Sequence, residues 1–190
     1  MEAVHSPDAI ARIEALGKRL DRPIVLVGLM GAGKSTVGRR LAALLGRSFV
    51  DSDDAIEEAA RLSIAEIFSE FGEDYFRDGE RRVIARLIEE KHGVIATGGG
   101  AFVNAETRAL ILDQAVAVWI DCDIATLVER TGRREHRPLL RDGDPEAILS
   151  RLMQERTPHY AQAHVRVEGQ KGPHNRAAWA IIEGIEQWLT

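Results

Sequence analysis

The chain has 190 residues, 45% of them hydrophobic and 29% charged, with a net charge of −5. That suits one globular α/β domain with a substantial core, and the acidity argues against a general nucleic-acid binder. No apolar run reaches membrane-span length, no signal-peptide core opens the chain, and a single cysteine, Cys122, excludes an intrachain disulfide, so the expected compartment is the cytoplasm.

The first predicted element opens at Ser6-Pro7-Asp8, an N-cap followed by a helix-opening proline and a first-turn acid. Ala9 to Leu20 then carries Ile10, Ile13, Leu16 and Leu20 at helical spacing; it precedes the core and reads as an added flank without chemistry. Ile24 to Val27 is an unbroken apolar run, as in a strand buried on both faces. It runs into Gly28-Leu-Met-Gly-Ala-Gly-Lys-Ser-Thr36, after which Val37 to Leu45 reads as a helix ending at Gly46. Gly28, Gly33, Lys34 and Ser35 fit the phosphate-loop pattern. Glycines let successive N–H groups curl around phosphate oxygens, and the helix adds its positive dipole end. Lys34 can reach the β- and γ-phosphates and Ser35 can ligate Mg²⁺, which makes this a nucleoside-triphosphate site.

Ser48 to Val50 reads as a second strand leading into Asp51-Ser52-Asp53, with a helix from Ala55 to Ala60. Asp51 and Asp53 are two apart, so in extended chain they face one way, one for Mg²⁺ and one for a substrate hydroxyl; helix capping by Asp is the bland alternative. Ser63 and Glu66 form a capping box ahead of Ile64, Ile67, Phe68 and Phe71; Gly72 interrupts, and Tyr75 to Glu90 resumes a helix. Within it, Arg77 stands three residues before Glu80, a spacing that permits a surface ion pair. Val94 to Ala96 is a third strand ending at Thr97 and Gly98-Gly99-Gly100, where backbone can approach a ligand or simply turn. Asn104 caps a helix to about Leu112, Val116 to Ile120 is a fourth strand, and Asp123 starts another helix. Thr131 to Asp144 holds Arg133, Arg134, Arg137 and Arg141 among glycines and a proline and reads as a mobile loop able to meet a triphosphate on closure. Pro145 to about Glu155 is helical, with Arg156 just beyond it; His164 to Val167 is a last strand and Asn175 to Leu189 a closing helix. Strands alternating with helices predict a three-layer α/β/α fold around a parallel, mostly five-stranded sheet.

Taken together, GLMGAGKST, FVDSD, IFSEFGEDYFRDGE, GGG, RPLL at Arg137 to Leu140 and Arg156-Thr-Pro-His-Tyr160 resemble the shikimate kinase family, in the family's order and over about residues 23 to 168. The resemblance implies a phosphate-loop kinase domain over 23–190 with a lid at about 131–144, preceded by a 1–22 flank longer than the family's compact pattern. It implies transfer of the ATP γ-phosphoryl group to the 3-hydroxyl of shikimate, in chorismate and aromatic amino acid biosynthesis, by a cytoplasmic monomer. By the same resemblance Gly31, Ala32, Gly33, Lys34, Ser35 and Thr36 bind ATP phosphates, Ser35 and Asp51 serve Mg²⁺, and Arg137 is the lid arginine on ATP. Asp53, Arg77, Gly99 and Arg156 match the shikimate contacts, and Lys34, Asp53 and Arg137 are the catalytic set. The arginine the family places beside adenine is missing from Gly169-Gln-Lys-Gly-Pro173, where Lys171 is the residue that could take its place. Two other readings share parts of the pattern: a gluconate-type sugar-acid kinase, and a nucleotide-dependent regulatory module without catalysis.

Overall fold

Ile24–Val27 (β1) lies at the centre of a sheet, and all four of its residues are buried. The computed structural model describes residues 7–132, 144–169 and 174–190. Phe49–Asp51 (β2), Val94–Ala96 (β3), Val116–Asp121 (β4) and Val165–Glu168 (β5) complete a sheet ordered β2-β3-β1-β4-β5, with every pairing parallel. Ile24 of β1 lies between Val94 and Val116, so the central strands register their apolar runs side by side. Strands covered on both faces lose their polar alternation, as β1, β3 and most of β4 do. The edge strand β5 keeps it, with Val165 and Val167 buried and Arg166 and Glu168 exposed.

Lys34–Leu45 (α2) joins β1 to β2 two places away; Ser52–Ala60 (α3) and Ile64–Glu89 (α4) return the chain to β3. Ala105–Gln114 (α5) carries it to β4, and Ile124–Thr131 (α6) and Pro145–Tyr160 (α7) to β5. Right-handed crossovers in opposite directions put α2 on one face and the later connections on the other. His174–Trp188 (α8) comes back beside α2, where Ala178, Ile181, Ile182 and Ile185 enter the core. The three-layer expectation therefore holds.

Pro7–Arg19 (α1) is integral to this core, with Leu16 and the following Leu20 buried in it. The Arg47 guanidinium donates to the carbonyls of Leu20 and Arg22, and Arg12 pairs with Glu186 of α8.

Local differences from the sequence reading have identifiable causes. α3 starts at Ser52 because Asp51 is its N-cap, accepting from the Asp53 amide at 3.1 Å. Asp53 thus sits in a first helical turn, and the extended-chain argument for its orientation is replaced by a cap. The Ser63/Glu66 capping box is present, and Gly72 (φ 82°, ψ 177°) breaks the helical conformation within α4 as expected. α7 continues past Glu155 to Tyr160, carrying Arg156 on the helix; Pro158 lies so near the C-terminal end that few ladder bonds are lost. Thr131 belongs to α6 and Asp144 caps α7, so the expected loop is shorter at both ends; residues 133–143 lie outside the described residues. Among the described residues no helix is long and apolar enough to cross a membrane.

Candidate active site

β1 ends where the backbone must turn sharply, and the glycines there are required. Gly28 has φ 137°, and a Cβ on it would meet the Ile120 carbonyl at 2.6 Å; Gly33, at φ 89°, is the left-handed N-cap of α2. Gly31 and Ala32 form the turn between them, Ala32 donating to the Leu29 carbonyl, and Thr36 lies in the first turn of α2. The Lys34 ammonium is buried inside the loop and donates to the carbonyls of Gly28 at 2.8 Å and Leu29 at 2.9 Å. Its positive charge is thereby held in the hollow where loop amides and the helix dipole favour an anion. Next along α2, the Ser35 hydroxyl donates to Asp51 Oδ2 at 2.6 Å, joining the loop to the end of β2. A hydroxyl and a carboxylate are hard oxygen donors suited to Mg²⁺ that keeps other ligands from phosphate and water. Among the described residues there is no cluster of three or more His, Cys, Asp or Glu able to hold a metal alone. The pair therefore fits a metal brought in with a nucleotide.

Asp53 is pushed up to about 6, first by burial, then by the charges of Asp51 and Glu80, with Lys34 opposing. A carboxyl so placed gains or loses its proton near neutral pH. Glu80, one residue in the sequence reading's expected surface ion pair, is instead buried at 1% exposure. Arg77 donates to it at 2.7 Å and to Glu73 at 3.2 Å. Burial lifts Glu80 above the ordinary glutamate range against the pull of Arg77 and Arg156. Burial also opposes the Arg77 charge, but Glu80 and Glu73 outweigh it and raise its pKa. The two ion pairs therefore fix the direction of the Arg77 guanidinium, which stands over the Phe76 ring and against Gly100.

The glycines after β3 admit these groups. A Cβ on Gly98 would stand 2.8 Å from Asp53 Oδ1 and 3.1 Å from Glu80 Oε1, an oxygen with no hydrogen-bond partner among the described residues. Arg77 approaches Gly100, and Arg156 Nη1 lies 3.3 Å from where a Gly99 Cβ would be. Lys34, Ser35, Asp51, Asp53, Arg77, Gly99 and Arg156 are thus gathered at the carboxyl ends of β1, β2 and β3. Ligands bind at that edge in open parallel sheets.

The sequence reading gave three neighbours no role in the site. Glu80 shows only as a spacing until its burial is known. Tyr160, one helical turn after Arg156, is buried and donates to the Gly99 carbonyl. Arg130, at the end of α6, lies 3.4 Å from the Ala32 carbonyl and 3.8 Å from Cys122 Sγ. It borders a cleft of about 310 Å³ lined also by Ala32, Val37, Gly169, Arg176 and Gly184. Its one sequence signal was a basic residue in the last turn of the helix that follows β4. Arg133, Arg134, Arg137, Arg141 and Lys171 lie outside the described residues.

A family model described as shikimate kinase matches residues 30–186. A shikimate kinase of Novosphingobium aromaticivorans is 54% identical over 183 residues, covering 94% of this chain and 95% of that one. One from Caulobacter vibrioides is 56% identical over 166 residues, covering 87% and 83%. Among solved structures, a shikimate kinase from Acinetobacter baumannii in complex with shikimate superposes with a TM-score of 0.85 at 39% identity, covering 92% of this chain and 97% of that one. A gluconokinase from Sinorhizobium meliloti reaches 0.60 at 17% identity, a likeness of fold alone. With the match spanning phosphate loop, glycine turn and the helices that carry both arginines, the chain belongs to the shikimate kinase family.

Proposed function

We propose that this protein transfers the γ-phosphoryl group of ATP to the 3-hydroxyl of shikimate, with Asp53, Arg77, Gly99 and Arg156 holding the acid. The observation that carries the reading is the meeting of a phosphate loop with two guanidiniums and a near-neutral carboxyl around one glycine turn. Shikimate bears one carboxylate and several hydroxyls. Planar, fork-shaped donors suit the first, and a carboxylate acceptor with nearby peptide groups suits the second.

Lys34 exchanges its loop carbonyls for phosphate oxygens and stabilises charge on the group in transfer. Ser35 and Asp51 would hold Mg²⁺, which would supply neutralisation of phosphate charge. Asp53 accepts the proton as the 3-hydroxyl oxygen bonds to the γ-phosphorus; the bond to the β-phosphate oxygen breaks and ADP leaves with its electron pair. Gly31 to Thr36 line the phosphates, and the nucleoside end lies toward Arg130 and Gly169 in the adjoining cleft. The catalytic unit spans 23–190 with 1–22 as a flank, and the enzyme acts as a cytoplasmic monomer in chorismate and aromatic amino acid biosynthesis.

Arg77→Lys tests the acid-binding assignment. It keeps the charge but loses the fork, so the shikimate KM rises roughly tenfold, the equivalent of ~1.4 kcal/mol, while the ATP KM stays within about twofold. Steady-state kinetics with an unchanged shikimate KM would remove Arg77 from the acid site.

A further inference from the structure

Tyr160 is a large polar residue buried at 1% exposure one turn beyond Arg156, and the chemistry above leaves it without a task. Its ring packs on Trp119 of β4 with centroids 5.9 Å apart, which holds the hydroxyl at a fixed depth. That hydroxyl donates to the Gly99 carbonyl, and Arg156, one turn earlier on the same helix, reaches the same glycine. Arg156 Nη1 in turn lies 3.3 Å from the point a Gly99 Cβ would occupy, and the Met30 amide of the phosphate loop 3.4 Å from the same point. One phenol therefore joins the last turn of α7 to the middle of the glycine turn, beside the phosphate loop.

A buried tyrosine needs a partner for its hydroxyl, and a carbonyl alone would satisfy it. Here that carbonyl belongs to the glycine turn beside which Arg156 stands. The planar peptide adds a consequence: fixing the Gly99 carbonyl fixes the plane of the Gly99–Gly100 peptide, with the Gly100 N–H pointing the opposite way. Gly100 is the glycine against which Arg77 is packed. The Tyr160 hydroxyl thus fixes the backbone that faces both arginines.

We propose that Tyr160 is a positioning residue for the acid substrate, its hydroxyl locking the Gly99 peptide, against which Arg156 stands, into a preformed carboxylate cradle before shikimate arrives. The proposal rests on the assignment of Arg156 and Gly99 to the acid site. Preorganisation of this kind acts on binding, because the ordering of the cradle is completed in the free enzyme. Tyr160 touches no reacting atom, so its loss should spare the chemical step.

Tyr160→Phe keeps the ring and removes only the hydroxyl. The expected result is a shikimate KM raised about tenfold, with kcat and the ATP KM within about twofold of the parent. A double-mutant cycle with Arg156→Ala, read by calorimetric titration of shikimate, separates positioning from packing. If Tyr160 acts through the cradle that Arg156 shares, its substitution costs clearly less shikimate affinity in the Arg156→Ala background than in the parent. Additive effects, or a Tyr160→Phe enzyme whose shikimate KM matches the parent, would overturn the proposal. A general loss in which kcat, both KM values and the unfolding midpoint all worsen would overturn it too, leaving Tyr160 as a core residue. A parent enzyme that does not bind shikimate in the same titration would refute the assignment of the acid site itself, an outcome distinct from these.

Discussion

At the scale of single residues, the site sets stability against chemistry. Asp53 is held near pKa 6 by burial beside Asp51 and Glu80, whereas the unfolded chain titrates it near 3.8. Between about pH 4 and 6 the folded protein therefore binds more protons than the unfolded one, and stability falls as pH rises through that interval. Above it the ionised Asp53 of the ligand-free enzyme costs up to about 3 kcal/mol. Asp53→Asn removes that cost together with the charge proposed to take the substrate proton. The variant should unfold at higher temperature than the parent at pH 7, with the gain fading below pH 6 and gone near pH 4. Its turnover should fall by ~10²–10⁴ even at saturating shikimate. Thermal unfolding across pH, paired with kinetics, checks both halves; superimposed curves at pH 7 with turnover retained would contradict the role given to Asp53. These residues differ in how far the sequence exposes them. Lys34 and Ser35 are legible because the phosphate loop is a local pattern in which spacing alone carries the chemistry. Glu80 and Tyr160 are not, since their importance lies in burial and in partners that only the fold brings near.

Elements show the same division between local and tertiary signals. The capping box at Ser63, the caps at Asn104 and Asp123 and the break at Gly72 were readable because each is settled by residues within one turn. The start of α3 was misplaced because Asp51 reads equally well as strand end and as cap. The end of α7 was misplaced because Pro158 reads as a stop, while packing of Tyr160 carries the helix through it. α1 is the clearest case of an element whose role needs the structure. As sequence it is a flank without chemistry; folded, it seats Leu16 in the main core and is tied to α8 through Arg12 and Glu186. Leu16→Ala should therefore destabilise the protein by about 2–5 kcal/mol, lowering the unfolding midpoint by roughly 5–15 °C. Both substrate KM values should stay within about twofold, since α1 contributes no residue to the site. An unchanged midpoint by calorimetry would show that α1 docks too weakly to be part of the core.

For the whole molecule, the alternation of strands and helices specifies a parallel sheet, and right-handed crossovers leave few ways to order it. The fold class was accordingly legible throughout. The substrate was legible only through the combined order of motifs, because sugar-acid kinases share the fold, as the 17% identical gluconokinase illustrates. What bears on the choice is the cluster at the ends of β2 and β3, where Arg77, Arg156 and Asp53 converge on the glycine turn. We propose that this cluster takes shikimate. The most direct measurement is ADP release coupled to product analysis by phosphorus NMR, with shikimate and gluconate offered separately at equal concentration with MgATP. The account predicts stoichiometric ADP release with shikimate, a single new phosphate monoester at its 3-position, and no more than background release with gluconate. Phosphorylation of gluconate with shikimate left untouched would contradict it.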